Sequence, residues 1–320
     1  MRHIDRPSPR PQLIVFNLFG DYVLQAGGAA WTTGLLEVLG LLEIGARAAR
    51  TTLSRMKRRG WLEARRVGRR SLYRATPKAR ALLLEGGERL FGPRPGPWDG
   101  SWHLIAYSLP VARRLTRHRL RTRLSWLGYG TVQPGTLIAA YPRSDEVENL
   151  VRELEVAPYI HEFRHARLDP QEQERIVRSC WDLTDIDSRY AAFMGRYKPA
   201  LSRLRQRQAR GAVLDPDECF AWRFWATYDY SEFPRVDPLL PDELLPRGWR
   251  GHQAYALLTE LRQRTREPAW EYLRSTGLLA PAALDARTIR RATSARPGAA
   301  KPSGEVSARR RRVKEPGDGR

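Results

Sequence analysis

A short segment near the N-terminus places arginine and hydroxyl side chains where they could bind the edges of DNA bases. Projected at 100° per residue, Ala49, Leu53 and Met56 fall within about 60° of one another and predict the buried stripe of a helix. The opposite face carries residues that can bind guanine, thymine methyl groups, base edges or phosphates, although a solvated helix face would show the same composition. The candidate DNA-binding residues of this helix are Arg47, Arg50, Thr51, Thr52, Ser54, Arg55 and Arg58.

A second set of residues matches the signature of a zinc hydrolase. His161-Glu162-Phe163-Arg164-His165 has the H-E-x-x-H spacing, in which two histidines one helical turn apart bind the same zinc ion. Pro158 precedes the motif and the sequence predicts a strand, on which the two histidine Cα atoms would be about 13 Å apart. We therefore expect no catalytic residues, no metal site and no cofactor, and we interpret the chain as a non-enzyme.

The elements around the first set predict a winged helix-turn-helix. Leu13 to Val23 is apolar on nearly every side and suits a buried helix, and Leu35, Leu39 and Leu42 have the spacing of one helix face. The helix from Ala46 to Arg59 then ends at Gly60. Two helices followed by one with a basic outer face are typical of this DNA-binding fold.

A basic hairpin follows. Trp61 to Val67 and Leu72 to Ala75 are strand-like, and Gly68-Arg69-Arg70-Ser71 forms the turn between them. Thr76-Pro77 then starts another helix, with threonine as its cap and proline at its first position. In a winged helix the hairpin lies near backbone phosphates or the minor groove. The candidate DNA-binding residues of the hairpin are Arg66, Arg69 and Arg70.

The middle of the chain predicts a small ferredoxin-like unit, with elements in the order β-α-β-β-α-β. The predicted elements are a strand at Trp102 to Leu109, a helix marked by Val111, Leu115, Leu120, Leu124 and Leu127, a hairpin from Gly130 to Tyr141 that turns at Pro134-Gly135, a helix from Ser144 to Val156 with Ser144 as its cap, and a strand at Tyr159 to Leu168.

The C-terminal part has helical periodicity and an aromatic cluster. That cluster either packs in a core or lines a pocket for an aryl or acyl ligand. It consists of Phe220, Trp222, Phe224, Trp225 and Tyr228. We predict an α+β multidomain protein: a winged helix-turn-helix DNA-binding domain at 1–92, a linker at 93–97, a ferredoxin-like central domain at 98–168, an α-helical C-terminal domain at 169–278, and a basic, largely disordered tail at 279–320.

Composition supports a polyanionic partner and excludes several protein classes. The 320 residues include 56 Lys and Arg against 35 Asp and Glu, a net charge of +21. Residues 1–92 account for +10 of this charge and residues 286–320 for +8, whereas residues 93–285 carry only +3. No run of 18 apolar residues predicts a transmembrane helix, so we expect no membrane partner. Two cysteines allow no disulfide framework and predict a reducing, cytoplasmic location.

Several separate blocks of sequence occur in the order found in one known family. They are Pro11-Gln12-Leu13-Ile14, Gly20-Asp21-Tyr22-Val23, Arg50-Thr51-Thr52-Leu53-Ser54-Arg55, Gly60-Trp61-Leu62, Arg66-Val67-Gly68-Arg69-Arg70, Trp181-Asp182-Leu183, and the proline-punctuated run from Asp237 to Pro246 with Trp249. With these blocks, over about residues 11–275, the chain resembles the PaaX-like family, the transcriptional repressors of phenylacetic acid degradation.

The resemblance implies a homodimeric bacterial repressor that is released from double-stranded DNA by an acyl-CoA thioester such as phenylacetyl-CoA. A two-fold dimer would bind a pseudo-palindromic operator. The resemblance also implies a central domain similar to the small CRISPR-associated ferredoxin-like nuclease subunit. Those nucleases have an aspartate at the end of the first strand, where this chain has Tyr107-Ser108-Leu109, so we do not expect nuclease activity.

Some alternatives stay open at the level of sequence. A metal-dependent hydrolase or nuclease using the central domain is one, and an RNA-binding or architectural protein acting through general basicity is another. The operator, the effector, the ligand-binding residues and the sign of regulation are not given by the sequence. The basic tail lies outside the family pattern.

Overall fold

The computed structural model describes residues 10–92 and 96–280. Within them lie eleven α-helices and two small antiparallel sheets, which confirms the predicted mixed α+β class. The helices are α1 (Pro11–Leu18), α2 (Thr32–Leu41), α3 (Ala46–Arg58), α4 (Pro77–Phe91), α5 (Arg114–Trp126), α6 (Ser144–Glu153), α7 (Pro170–Cys180), α8 (Leu183–Ala209), α9 (Pro216–Tyr230), α10 (Gly251–Arg264) and α11 (Arg266–Ser275). The strands are β1 (Ala29–Trp31), β2 (Leu62–Val67), β3 (Arg70–Ala75), β4 (Trp102–Tyr107), β5 (Gly130–Gln133), β6 (Thr136–Ala139) and β7 (Ile160–Ala166).

The first sheet contains one strand that the sequence analysis missed. Its order is β1-β3-β2, and β1 pairs antiparallel with β3, with Trp31 opposite Leu72. At three residues β1 is too short to show a period of two. The helix expected from Leu13 to Val23 is present as α1 followed by a π-helical turn at Phe19–Val23.

The N-terminal core is completed by the C-terminal part of the chain. Side chains of α1, α2 and α3 pack with Phe220 and Phe224 of α9 and with Leu273 of α11. Gly34 in α2 is required by this packing, because a Cβ atom there would lie 2.5 Å from the backbone nitrogen of Leu278. The predicted aromatic cluster is therefore divided between two cores: Phe220, Phe224, Trp225 and Tyr228 pack in the N-terminal one, and Trp222 packs against the C-terminal one.

The second sheet has the strand order β5-β6-β4-β7, and its elements follow the predicted β-α-β-β-α-β sequence. Helices α5 and α6 cover one face, and the opposite face packs on the C-terminal helices. Two expectations were wrong here. Val111 lies outside the helix that it was expected to mark, because α5 begins only at Arg114, after a 3₁₀ turn, whereas Leu115 lies on α5; the two side chains are 85% and 76% exposed. Ser144 is the first helical residue of α6 and not its cap, since Arg143 holds that position without a side-chain hydrogen bond.

Helix α7, the first of the C-terminal helices, begins at the predicted cap. The Asp169 carboxylate accepts a hydrogen bond of 2.9 Å from the Glu172 backbone N–H. Asp182 caps α8 in the same way, whereas Asp215 precedes α9 without such a bond. The predicted tail lies almost entirely outside the described residues, and so does most of the predicted linker.

Candidate nucleic-acid interface

Helix α3 presents its polar residues outward because its apolar stripe is fully buried. Ala49 and Leu53 are 0% exposed and Met56 is 1% exposed, as the sequence predicted, and they pack on α1 and α2. The burial fixes the rotation of the helix, so the opposite face must point to solvent. Of the seven candidate residues on this helix, Thr52 is half-buried. The exposed ones are Arg47, Arg50, Thr51, Ser54, Arg55 and Arg58.

The cations on this face are not neutralised by the protein. Within the described part of the chain, Arg47, Arg50, Arg55 and Arg58 have no ion pair with a carboxylate. The Thr51 hydroxyl donates a hydrogen bond of 3.0 Å to the backbone carbonyl of Arg47, and its oxygen can still accept one. Helix α3 therefore presents guanidinium donors without ion pairs on an exposed helix face, and an α-helix is an element that fits a major groove.

The basic hairpin is tighter than the sequence suggested. Strands β2 and β3 pair from Leu62↔Ala75 to Val67↔Arg70, so only Gly68 and Arg69 form the turn. Gly68 has φ of 60°, and a two-residue turn of type II′ favours glycine at this position. Arg69 is thus the exposed residue at the tip, with no ion pair inside the described residues.

The other two hairpin candidates are held by the protein itself. The Arg70 guanidinium lies 4.1 Å from the centre of the Trp31 ring, a cation–π contact that positions the side chain without neutralising it. The Arg66 Nε donates to the Gly68 carbonyl over 3.2 Å. The Thr32 hydroxyl also donates to the Ser71 carbonyl, which ties the start of α2 to the hairpin. Trp31 and Thr32 are supporting residues that sequence reasoning missed, because β1 itself was missed.

The H-E-x-x-H motif lies on β7, as the sequence predicted. His161 pairs with Ala106 in the sheet register, and His165 adopts φ of 59° at an irregularity of the strand. Glu162 lies 3.3 Å from the Nε2 of His103, and His165 lies 3.8 Å from Asp99. The described residues contain no group of three or more His, Cys, Asp or Glu side chains placed to hold a metal ion.

A buried histidine forms the most unusual polar contact of the second sheet. His103 is 2% exposed, and its Nδ1 is 2.5 Å from the hydroxyl of Tyr129. Burial lowers the pKa of His103, and the neighbouring Glu162 carboxylate opposes that shift. Burial likewise raises the pKa of Tyr129. Because the imidazole is almost fully buried, this contact can hold β4 to the residue just before β5 but is not open to a substrate.

A cavity of about 340 Å³ lies where α4, the central sheet domain and the C-terminal helices meet. The Arg89 Nε donates to the Pro234 carbonyl over 2.9 Å, its guanidinium lies 5.1 Å from the centre of the Trp126 ring, and one terminal nitrogen has no hydrogen-bond partner. Burial lowers the pKa of Arg89 to about 10, so the group stays charged at neutral pH. Aromatic side chains that line the cavity are Trp126, Tyr190, Tyr230, Phe233 and Tyr255.

Three family models match consecutive parts of this chain. The model described as "PaaX-like protein" matches residues 10–79, "PaaX protein central Cas2-like domain" matches residues 95–177, and "PaaX-like protein C-terminal domain" matches residues 181–275. The chain belongs to the PaaX-like family.

A curated relative matches most of the length of this chain. The "Transcriptional repressor PaaX" of Escherichia coli (strain K12) is 28% identical over 267 residues, which are 82% of this chain and 83% of the relative. Among solved structures, "Uncharacterized protein Rv0674 from Mycobacterium tuberculosis" is similar with a TM-score of 0.48 and 20% identity, over 82% of this chain and 97% of that one. In the described residues of this chain, no helix is long and apolar enough to cross a membrane.

Proposed function

We propose that the protein is a ligand-responsive transcriptional repressor of an aromatic or acyl-CoA catabolic operon, such as that of phenylacetic acid degradation. The observation that carries the proposal is the outer face of α3, where exposed arginines without ion pairs surround Thr51 and Ser54. The relative named as a transcriptional repressor supports the same function. In this proposal the protein is not an enzyme and acts in the cytoplasm.

The proposed DNA-binding domain is a winged helix-turn-helix at 1–92, with α3 as recognition helix and the β2–β3 hairpin as wing. Arg47, Thr51, Ser54 and Arg58 would face the major groove, with Arg50 and Arg55 on phosphates or base edges. The wing would contact the backbone mainly through Arg69, the exposed residue at its tip.

The rest of the chain would supply dimerisation and ligand response. We propose a ferredoxin-like central domain at 98–168 and a helical domain at 169–278, joined to the first domain by a linker at 93–97 and followed by a basic tail at 279–320. A homodimer would bind a pseudo-palindromic operator, because its two-fold axis imposes two-fold symmetry on the DNA.

The effector would be an acyl-CoA thioester, with its acyl group in the cavity beside Arg89. The aromatic walls suit an aryl group, and the Arg89 guanidinium, which lines the cavity, is a charged donor for an acceptor such as a thioester carbonyl. The cavity is lined by α4 of the first domain and by Tyr190, Phe233 and Asp237 from the C-terminal part. A ligand there could favour a DNA-incompetent arrangement, but only if its affinity differs between the two states.

The test is DNA-binding anisotropy on a duplex from upstream of the protein's own gene cluster. It is run at physiological salt against random competitor, with and without phenylacetyl-CoA. We expect competitor-resistant binding that is lost when the thioester is added. Specific binding that ignores the thioester would reject the effector and keep the repressor. Binding no tighter than to random DNA would count against the DNA-binding function at that site.

A further inference from the structure

We infer that α5 of the central domain is a second DNA-contacting surface, which binds the phosphate backbone without regard to sequence. The inference rests on the proposed function, since the duplex it binds is the one that α3 recognises. The near-neutral charge of residues 93–285 conceals this surface. Within that segment, residues 100–144 contain seven arginines and no aspartate or glutamate.

Six of these arginines lie on α5 or the turn before it, and three of them are held by the protein. Arg113 donates to the Glu155 carbonyl over 2.9 Å, Arg117 donates to the Leu109 carbonyl over 2.5 Å, and Arg123 lies 3.7 Å from Glu85. The other three, Arg114, Arg119 and Arg121, are exposed and have no hydrogen bond or ion pair in the part of the chain that the structure describes.

Two of these free cations lie on one stripe of the helix, with a histidine between them. Arg114, His118 and Arg121 follow one another at i, i+4 and i+7, so they form one stripe about 10 Å long. Ser125 continues the same stripe, and all four side chains are exposed. A DNA duplex carries about six phosphate charges over 10 Å of its axis, so the stripe is long enough to contact more than one phosphate.

On helix α7, by contrast, exposed arginines are paired with carboxylates. On α7, Arg175 pairs with Glu172 and Arg178 pairs with Glu174, both at 2.5 Å. Helix α5 has no acidic residue at all, and Arg117 and Arg121 are four residues apart, a like-charge spacing that destabilises an isolated helix. An anionic partner would relieve this repulsion, whereas a merely solvated face gains nothing from excluding carboxylates.

The pattern favours nucleic acid over a lipid surface. A helix that lies on a membrane needs an apolar face along its length. Beside the basic stripe, Val111 and Leu115 are exposed, but Arg119 and Thr122 follow them on the same side. Arginine with serine, threonine and histidine is the composition of surfaces that contact phosphates.

The experiment compares Arg114→Gln/Arg121→Gln with Arg175→Gln/Arg178→Gln, two double variants of the full chain that remove the same charge. Their affinity for the upstream duplex and for random DNA is measured across a range of salt concentrations. We expect the α5 variant to flatten the slope of log K against log salt by about one to two, and to lose about tenfold in affinity per lost contact near 0.1 M salt. Both duplexes should be affected equally, and the α7 variant should bind as the unmodified protein does.

An α5 variant with an unchanged slope would overturn the inference. So would a loss of DNA affinity that sedimentation traces to altered self-association, because the surface would then be an interface between copies. If the unmodified protein shows no preference for the upstream duplex, the proposed function fails there, while the slope on random DNA still tests α5 separately.

Discussion

Arg262 in α10 donates two hydrogen bonds to the carboxylate of Asp21, which lies 241 residues earlier in the chain. The nitrogen-to-oxygen distances are 2.7 and 2.6 Å, and both side chains are largely buried. The same guanidinium donates to the Thr227 hydroxyl over 2.6 Å and lies 4.3 Å from the centre of the Phe91 ring. One cation therefore joins the N-terminal helices, the end of α4 and the C-terminal helices.

Removing the Asp21 carboxylate should strongly destabilise the fold. In an Asp21→Ala variant the Arg262 charge stays buried without its partner, which costs about 3–5 kcal/mol of the free energy of unfolding. Urea unfolding of the full chain measures the change. The control is Glu174→Ala, which breaks an exposed pair with Arg178 and should cost below about 0.5 kcal/mol. Equal stability of the two variants would show that the buried pair does not hold the parts together.

Loss of the wing cations should weaken binding to every DNA sequence. Arg69→Ala/Arg70→Ala removes the free cation at the hairpin tip and the one that lies on Trp31. We expect the salt slope to flatten by about one for each lost phosphate contact. An unchanged affinity and salt slope in the double variant would contradict the wing assignment.

An Arg47→Ala variant should instead reduce discrimination between operator and random DNA, by about 1–3 kcal/mol if this residue contacts a base.

The sequence predicted best where burial follows a period. The apolar spacing of Ala49, Leu53 and Met56 predicted both helix α3 and the orientation of its outer face. One buried stripe determines which of the other residues are exposed. The same reasoning does not hold for Val111 and Leu115. Both fit the apolar period but are exposed, because a periodic apolar residue need not have a neighbour to pack on. Contacts between distant segments could not be predicted from the sequence, because no residue near Asp21 indicates that Arg262 will bind it. The position of Arg89 at a cavity could not be predicted either, because the cavity forms only where three parts of the chain pack together.

Glu260 should make stability depend on pH at the acidic end. Hydrogen bonds from Arg205 and Arg264, both at 2.7 Å, lower the pKa of this carboxyl to about 2. A carboxyl with a depressed pKa in the folded state contributes its full stability above its unfolded pKa of about 4.3, and loses it as pH falls to about 2. The pair is near the surface, so solvent screening limits the contribution to about 1 kcal/mol or less. Unfolding of the unmodified protein and of Glu260→Gln between these pH values should converge at the acid limit, and parallel curves would refute the assignment.

Arg89 should determine the response to the thioester without affecting DNA binding in its absence. Its Nε is held by the Pro234 carbonyl, which positions the guanidinium at the cavity wall as the donor for an acyl carbonyl. A hydrogen bond from a charged donor contributes about 1.5–3 kcal/mol, so Arg89→Ala should raise the phenylacetyl-CoA concentration needed for release by about ten- to hundredfold. The control Arg203→Ala changes an exposed arginine of α8 outside the cavity and should respond as the unmodified protein does. If the Arg89→Ala variant is released from DNA at the same phenylacetyl-CoA concentration as the unmodified protein, the effector binds elsewhere. The repressor function would still stand, because the same titration measures DNA binding before ligand is added.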